Sequence, residues 1–485
     1  AFMPTDATLV YDEERSVNPE SSENIIIEGE NLAVLKLLSK SYREKVKCIY
    51  IDPPYNTGKD FVYTDKWNQD KAEYWEDAEY VENGMKVDTN AETDGRFHSN
   101  WLNMMYSRLL IARQLLKKDG LIVISISDIE VHHLRKLCDA VFGAENFIGQ
   151  LIWKSRQNKD NRTTSGLSQD HEYLVCYSKN PEYRYFYGSE RNISQYSNPD
   201  ADARGPWVSA NMVGLKPKTE RPNLHYDLIS PGTNLDYGCP KMGWRYNRKT
   251  MDGLIKDNRI IWPREASGRP RRKVFLSDIT DERPGFSSIV GTDIFTRDGT
   301  AEIDSLFGQR VFDFPKPSRL LREVINQVSD DSDIIVDFFS GSGVTGEAIY
   351  NLNKDDNSLR KFILVQLPEA TDPKSEAYNA GYKKISDITI ERNKRVIEKI
   401  IEEKKAEQPD LFTDDKKEDS LNGLGFKVFK LQKSNFPRTE FAPDPEKSEE
   451  DNVELLKKYI SIKEAQMVTA FNKDELITEI LIKKG

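Results

Sequence analysis

Residues 46–55, VKCIYIDPPY, join an apolar run to a rigid polar end. The run at 46–51 is rich in β-branched and aromatic side chains, which favours a buried strand. Asp52-Pro53-Pro54-Tyr55 follows directly. Consecutive prolines have fixed φ angles and lack N–H groups, so they hold the Asp52 carboxylate and the Pro53 carbonyl rigidly. We therefore predict a strand that ends in two acceptors suited to an amine, next to an aromatic ring suited to stacking on a planar base.

Strands and helices alternate on both sides of this stretch. An apolar strand at 25–27 is followed by a short helix that Asn31 is expected to cap, and a long helix at 101–118 precedes a strand at 121–126. The alternation resumes with a strand at 334–336 and ends with a helix at 386–405. This pattern predicts an α/β protein with a mainly parallel sheet and helices on both faces.

Positive charge is concentrated in the middle of an acidic chain. The 485 residues carry a net charge of -10, whereas residues 151–280 have 22 Lys+Arg against 14 Asp+Glu, a net of +8. Basic and aromatic residues interleave there, which suits contacts with phosphates and base edges. A solvated loop with incidental charges is the alternative. The candidate DNA contacts are Arg245, Arg248, Lys249, Arg264, Arg269, Arg271, Arg272 and Lys273.

Composition excludes several classes of protein. Mean hydropathy is -0.66, and no run approaches the roughly 18 apolar residues that span a bilayer. Residues 1–6 lack the basic start and apolar stretch of a secretory signal, so we expect a soluble, cytoplasmic protein without membrane partners. The four cysteines show no CxxC spacing. The adjacent His132 and His133 would diverge by about 100° on a helix, so we predict no metal site.

A second polar turn follows the strand at 334–336. Asp337-Phe338-Phe339-Ser340-Gly341-Ser342-Gly343 leads into a helix that begins near Thr345. Glycines at a strand-to-helix turn let the backbone approach a ligand closely. Taken alone, this turn also fits an ordinary tight connection or a dinucleotide-binding loop. Asp52-Pro53-Pro54-Tyr55 alone also fits a proline turn whose aspartate caps the next segment.

Together the two motifs resemble the β class of amino-methyltransferases. In that class the DPPY motif precedes the FxGxG cofactor motif, as Asp52 precedes Phe339 here, with the basic segment between them. The Asp-Pro-Pro-Tyr form is similar to adenine-N6 enzymes, whereas cytosine-N4 enzymes more often begin with serine. Residues 425–431, GFKVFKL, with SNF at 434–436 resemble modification subunits of type III restriction systems.

The resemblance implies a Rossmann-like sheet with a circularly permuted motif order. It implies methyl transfer from S-adenosylmethionine to the N6 amine of adenine in duplex DNA, after the base is flipped out of the helix. Catalysis is assigned to Asp52, Pro53, Pro54 and Tyr55. Cofactor binding is assigned to Gly29, Asn31, Lys316, Pro317, Ser318, Asp337, Phe338, Phe339, Ser340, Gly341, Ser342, Gly343, Gln366 and Glu369. Gln366 and Glu369 stand near the family's acidic ribose-binding position, and the choice between them is open.

The resemblance and the position of the basic segment divide the chain into four predicted segments. They are the catalytic half at 1–152, an inserted α+β target-recognition domain at 153–309, the cofactor-binding half at 310–405, and a linker with a C-terminal assembly region at 406–485. The resemblance also implies a homodimer and a separate helicase-nuclease restriction subunit. Other functions stay open: a cytosine-N4 enzyme, a solitary methyltransferase, methylation of RNA or protein, a nicotinamide oxidoreductase, and a non-catalytic DNA-binding module.

Overall fold

The chain forms two compact units, one made of Ala1–Tyr187 with Ser287–Gly485 and the other of Gly188–Phe286. The computed structural model describes residues 5–57, 61–62, 88–89, 97–160, 165–183, 185–188, 193–279, 285–407, 421–434, 441, 443–444, 447–465 and 473–484. The second unit is shorter than the predicted insert at 153–309. The roles assigned to the four predicted segments stay predictions.

The described elements alternate along the chain. The strands are β1 (Ala7–Val17), β2 (Ile25–Glu28), β3 (Val46–Ile51), β4 (Phe61–Val62), β5 (Asp88–Thr89), β6 (Leu116–Ile126), β7 (Phe147–Trp153), β8 (Glu172–Ser178), β9 (Trp207–Asn211), β10 (Ile260–Ile261), β11 (Arg271–Phe275), β12 (Ile289–Val290), β13 (Ile334–Asp337), β14 (Lys361–Gln366) and β15 (Phe426–Lys433). The helices are α1 (Asn31–Ser41), α2 (Phe97–Leu115), α3 (Val131–Phe142), α4 (Arg248–Lys256), α5 (Thr296–Phe307), α6 (Ser318–Asn326), α7 (Val344–Asp356), α8 (Glu376–Asn379), α9 (Ile385–Glu407), α10 (Glu449–Ala465) and α11 (Lys473–Lys484). Among the described residues, no helix has the length and apolar character to cross a membrane.

A ten-stranded sheet forms the centre of the larger unit. Its order is β1-β15-β2-β14-β13-β3-β6-β8-β7-β12. The six strands from β15 to β6 run parallel, whereas β1 and β8 run antiparallel to their neighbours. In β3, the consecutive residues Cys48, Ile49, Tyr50 and Ile51 are all buried. Because successive strand side chains point to opposite faces, both faces of the sheet are covered, which confirms the predicted α/β class.

Two local predictions are wrong. The helix predicted at 101–118 spans Phe97–Leu115, and Leu116 already begins β6 by pairing with Val46. The register shifts after that pair, and a Cβ atom at Gly120 would lie 2.9 Å from the Val46 carbonyl oxygen. Gly120 therefore lies inside the strand, where backbone crowding requires glycine. Glu30 caps α1 in place of Asn31, which is the first residue of that helix.

The C-terminal apolar run belongs to the sheet. Strand β15 lies between β1 and β2, and it pairs with both. Helix α11 packs on β1 and α1. Several apolar residues of α10 and α11 nevertheless remain exposed: Val453, Leu456, Ile460, Ile462, Ile477, Ile480 and Leu481. The assembly role of these two helices stays a prediction, but the region also completes the sheet.

The smaller unit has its own core. It contains the antiparallel sheet β10-β11-β9 and helix α4. Met212, Leu228, Trp244, Met251 and Ile260 form a buried cluster there. The unit therefore has enough apolar contact to hold surface residues in defined positions.

Candidate active site

Both predicted motifs lie at the same edge of the main sheet. Strands β3 and β13 are parallel neighbours. Asp52 comes directly after the last residue of β3, and Asp337 is the last residue of β13. The carboxyl ends of neighbouring parallel strands are where open α/β sheets bind ligands. The fold therefore brings together two segments that are far apart in the sequence.

Buried side chains hold the 52–55 loop in place. The indole Nε1 of Trp101 donates a hydrogen bond to the Pro54 carbonyl oxygen at 2.7 Å. Asn56 adopts a left-handed conformation with φ 58°, which asparagine tolerates better than most residues. Its buried amide donates to Glu130 Oε1 at 2.6 Å. Helix α2 and the residue before α3 thus fix the loop from both sides.

One oxygen of Asp52 is an unsatisfied acceptor. Its side chain is 27% exposed, yet its Oδ1 atom is buried and has no hydrogen-bond partner among the described residues. A buried acceptor without a partner costs about 1–3 kcal/mol. An incoming N–H donor would remove that cost. The local chemistry therefore favours binding of an amine at Asp52.

The second oxygen of Asp52 belongs to a charged cluster that also contains Lys316, Glu172 and Tyr55. Lys316 Nζ lies 3.1 Å from Asp52 Oδ2 and 3.0 Å from Glu172 Oε2. It also donates to the Tyr55 hydroxyl oxygen at 2.8 Å, and that hydroxyl donates to Glu172 Oε2 at 2.9 Å. Resemblance assigned Lys316 to the cofactor, but its described partners are residues of the catalytic motif and Glu172.

Electrostatics in the cluster keep Lys316 charged. Burial lowers the pKa of Lys316, but the adjacent Asp52 and Glu172 carboxylates outweigh it and raise that pKa. Burial raises the pKa of Asp52, and Lys316 offsets this only in part. Burial also raises the pKa of Glu172, but the charge of Lys316 together with hydrogen bonds from Lys316, Tyr55 and Ser155 outweighs it, so that this pKa is lowered. Lys316 therefore favours the ionised form of both carboxyl groups.

The glycines of the second motif have different surroundings. Gly341 has φ 51°, and a Cβ atom there would meet only Phe312 Cζ at 3.4 Å and the Phe339 carbonyl at 4.0 Å. At Gly343 and Gly346, a Cβ atom would lie 2.6 Å and 2.0 Å from side-chain atoms of Asn393. Gly343 and Gly346 thus permit close packing on α9, whereas Gly341 leaves room for a ligand.

Other residues of this loop bind the protein itself. Asp337 accepts from the Phe339 backbone N–H and the Thr345 hydroxyl, and burial raises its pKa to about 7. Ser340 donates to the Val365 carbonyl, and the Ser342 hydroxyl accepts from Arg392. Phe338 is fully buried and Phe339 nearly so. These contacts fix the shape of the loop around Gly341.

The remaining cofactor candidates surround the loop or support it. Asn31 donates to the Phe338 carbonyl at 2.8 Å and accepts from Arg108 at 2.6 Å. Ser318, which follows the buried Pro317 at the start of α6, binds Glu302. A Cβ atom at Gly29 would lie 2.5 Å from Leu431 Cβ, so glycine permits strand packing at that position.

Comparison with known proteins identifies the family. A model described as "DNA methylase" matches residues 46–403. That match covers both motifs and most of the chain. This protein belongs to the DNA methylase family. The chain is 32% identical over 436 residues to the "Type III restriction-modification enzyme EcoP15I Mod subunit" of Escherichia coli, covering 81% of this chain and 66% of that protein. It is 30% identical to the "Type II methyltransferase M.KpnI" of Klebsiella pneumoniae, covering 79% and 89% respectively.

Among solved structures, the PvuII cytosine-N4-specific DNA methyltransferase has a TM-score of 0.36 and 12% identity to this DNA methylase, covering 78% of this chain and 94% of that one. The chain spans about two thirds of the length of the first curated relatives, with 66% coverage in two of them and 60% in the third.

The basic residues of this DNA methylase fall into two groups within the smaller unit. Six of the eight candidates are exposed: Arg245, Arg248, Lys249, Arg264, Arg269 and Arg271. Arg272 is half-buried and donates to the Tyr246 hydroxyl at 3.0 Å. Lys273 is 6% exposed and pairs with Asp200 and Asp202. The exposed arginines are available to phosphates, whereas Lys273 stabilises the unit internally.

Sequence reasoning missed Glu172 and Trp101 as parts of the site. In the DNA methylase fold, Glu172 begins β8 and reaches the catalytic motif through Lys316 and Tyr55. A single glutamate at the start of a strand has no spacing pattern that could predict this contact.

Proposed function

We propose that this protein transfers a methyl group from S-adenosylmethionine to the N6 amine of adenine in duplex DNA, as the modification and specificity subunit of a type III restriction-modification system. The match to the DNA methylase family supports the reaction class. The 32% identity to a type III Mod subunit supports the narrower assignment. The unsatisfied Oδ1 atom of Asp52 is the observation that carries the chemistry.

The loop around Gly341 fits a cofactor that needs close backbone approach. Gly341 has an open face and a left-handed backbone, and Gln366 holds its N–H group in place. Bound S-adenosylmethionine would supply an electrophilic methyl group. We assign Gly341, its neighbours in the loop and Glu369 to holding that cofactor. Burial raises the pKa of Glu369, so a ribose hydroxyl would meet a carboxyl group in a partly desolvated position.

The residues of the catalytic motif orient the target amine. Asp52 Oδ1 and the Pro53 carbonyl accept its two N–H groups, which keeps the nitrogen lone pair available for attack. Tyr55 stacks on the flipped base, an interaction worth about 1–3 kcal/mol. In the product the nitrogen carries the methyl group and has one proton fewer, while the sulfonium that would supply the methyl group would leave as a neutral thioether. Asp52 can hold that proton, because burial raises its pKa.

Lys316 and Glu172 prepare Asp52 for this role. Lys316 occupies Asp52 Oδ2 and leaves Oδ1 without a partner. Glu172 anchors Lys316 and accepts the Tyr55 hydroxyl. The two oxygens of Asp52 thus have separate roles. Oδ2 binds Lys316, whose charge favours the ionised carboxylate, and Oδ1 accepts a hydrogen bond from the amine.

Two parts of the proposal concern assembly. Exposed apolar residues on α10 and α11 support a homodimer or a contact with a helicase-nuclease restriction subunit. The 89% coverage of a type II methyltransferase keeps a solitary enzyme as the second candidate. Co-purification of this chain with a helicase-nuclease restriction subunit would distinguish the two.

The central test measures the methylated product. Full-length protein is incubated with labelled S-adenosylmethionine and duplex DNA, and the digested nucleosides are separated by mass spectrometry. We expect N6-methyl-2′-deoxyadenosine in wild-type samples and none with Asp52→Ala, whose cofactor affinity should be retained. Asp293→Ala, on an exposed aspartate, is the matched control. N4-methylcytosine as the product, or turnover by Asp52→Ala above a few per cent of wild type, would refute the proposal.

A further inference from the structure

Three potential metal ligands converge near the catalytic loop. His98 lies in the first turn of α2, Glu130 directly precedes α3, and His133 lies in the first turn of α3. His98 Nδ1 is 2.6 Å from Glu130 Oε1, and His133 Nδ1 is 2.9 Å from Glu130 Oε2. The ligand atoms of the three residues all lie within 4.8 Å of one another. The fold therefore brings His98 to His133, although the sequence places only His132 beside it.

The Glu130 carboxylate contacts two histidines and does not cap the helix that it precedes. Glu130 occupies the N-cap of α3, yet its side chain makes no capping hydrogen bond. The carboxylate instead presents one oxygen to each imidazole, and the side chain is fully buried. A buried carboxylate requires compensation of its charge. Neutral imidazoles can provide hydrogen bonds, but a cation between the three groups would also supply the charge.

The two histidines leave this group open to solvent. The His98 side chain is 47% exposed and that of His133 is 31% exposed. A metal bound here would therefore have three protein ligands and at least one position for water. Imidazole nitrogens select zinc, cobalt, nickel or copper over magnesium and calcium, which prefer oxygen ligands.

We propose that His98, Glu130 and His133 form a binding site for a divalent transition-metal ion of the zinc class. The site has a direct connection to the catalytic loop. Glu130 Oε1 also accepts the hydrogen bond from Asn56, the residue that follows Tyr55. An ion at Glu130 would fix the carboxylate and, through Asn56, the end of the catalytic loop. Metal binding itself does not depend on the proposed methyl transfer.

Cobalt is a suitable probe because its visible absorption reports on its ligands. Untagged full-length protein is titrated with CoCl2 and followed by absorption and calorimetry. We expect one Co²⁺ bound per chain and displacement by an equimolar amount of Zn²⁺, but not by Mg²⁺. His98→Gln and His133→Gln should each weaken Co²⁺ binding by at least about tenfold, the lower bound for loss of an outer-shell partner.

Two histidines outside the group provide matched controls. His132→Gln and His171→Gln should bind Co²⁺ as wild type does, and thermal unfolding of all four variants should show that they are folded. His132 is a stringent control because its ring centroid lies 3.9 Å from that of His133. Absence of saturable Co²⁺ binding to wild type, or equal loss in ligand and control variants, would leave only a histidine-glutamate hydrogen-bond network and overturn the proposal. Since these readouts do not use methyl transfer, failure of the metal site and failure of the proposed enzyme activity are distinguishable.

Discussion

Replacing Lys316 by methionine should separate the two roles considered for this residue. The substitution keeps the length and apolar stem of the side chain but removes the ammonium group between Asp52 and Glu172. The distances of 3.1 and 3.0 Å from Lys316 Nζ place the two carboxylate oxygens at most about 6 Å apart. With an effective dielectric constant of about 20, the Coulombic attraction within each ion pair is about 5 kcal/mol and the repulsion between the two carboxylates is about 3 kcal/mol, before the cost of desolvation. Lys316→Met therefore leaves that repulsion uncompensated.

The repulsion should appear in the pH dependence of methyl transfer. Lys316 holds the pKa of Asp52 below the value that burial alone would produce, so its removal raises that pKa further. In the proposed mechanism Asp52 acts as the carboxylate, so activity should be lost at a higher pH as the solution is acidified. We expect single-turnover rates near pH 7 to fall between about 10-fold and about 100-fold, with recovery toward pH 9. Affinity for S-adenosylmethionine should stay unchanged.

Three variants make the result interpretable. Lys316→Met combined with Glu172→Gln removes the repulsion and should restore part of the activity near neutral pH. Lys316→Arg keeps the charge and should keep the acidic limb in place. Lys354→Met, on a surface pair with Glu403, controls for loss of a lysine. If Lys316→Met weakens cofactor binding and leaves the shape of the pH profile unchanged, Lys316 contacts the cofactor and the reasoning fails.

Four further outcomes follow from single features of the structure. Trp101→Phe removes the hydrogen bond to Pro54, worth about 1 kcal/mol, and should lower single-turnover rates up to about tenfold; an unchanged rate contradicts its positioning role. Gly346→Ala should destabilise the protein by about 1–3 kcal/mol in urea unfolding, because its Cβ would lie 2.0 Å from an Asn393 atom. Arg271→Ala with Arg272→Ala should reduce the slope of log affinity for DNA against log salt by up to about 1.8; an unchanged slope moves DNA contact elsewhere. Ile477→Glu, on the exposed face of α11, should reduce the mass measured by light scattering if α11 forms a homodimer contact.

The sheet was predictable where hydrophobic runs were continuous. The runs that became β3 and β13 are buried on both faces, and such strands have a clear apolar pattern. The hydrophobic pattern did not predict that β3 and β13 are neighbours, because strand order depends on tertiary packing between distant segments. The family resemblance predicted this proximity indirectly, because it assigned Asp52 to catalysis and Gly341 to the cofactor of the same reaction.

Strand β15 shows how an apolar run can indicate a strand without indicating which strands lie beside it. Residues 425–431 were singled out in the sequence only by family resemblance, whereas in the structure β15 has a partner on each side in β1 and β2. Gly29 carried information about this position, since a Cβ atom there would meet Leu431 at 2.5 Å. Truncation at Glu418 would therefore remove an interior strand. A test of assembly has to change surface residues of α10 and α11 instead.

The contacts of Gln366 account for the presence of glutamine near the position where the family has an acidic residue. The family has an acidic residue near this position, whereas the Gln366 amide uses both of its ends within the protein. Its Oε1 accepts from the Gly341 backbone N–H at 2.7 Å, and its Nε2 donates to the Leu367 carbonyl oxygen at 3.2 Å. A carboxylate could accept the first bond but could not donate the second. Glutamine therefore suits a residue that supports the glycine loop, and this support favours Glu369 as the carboxylate that meets the ribose.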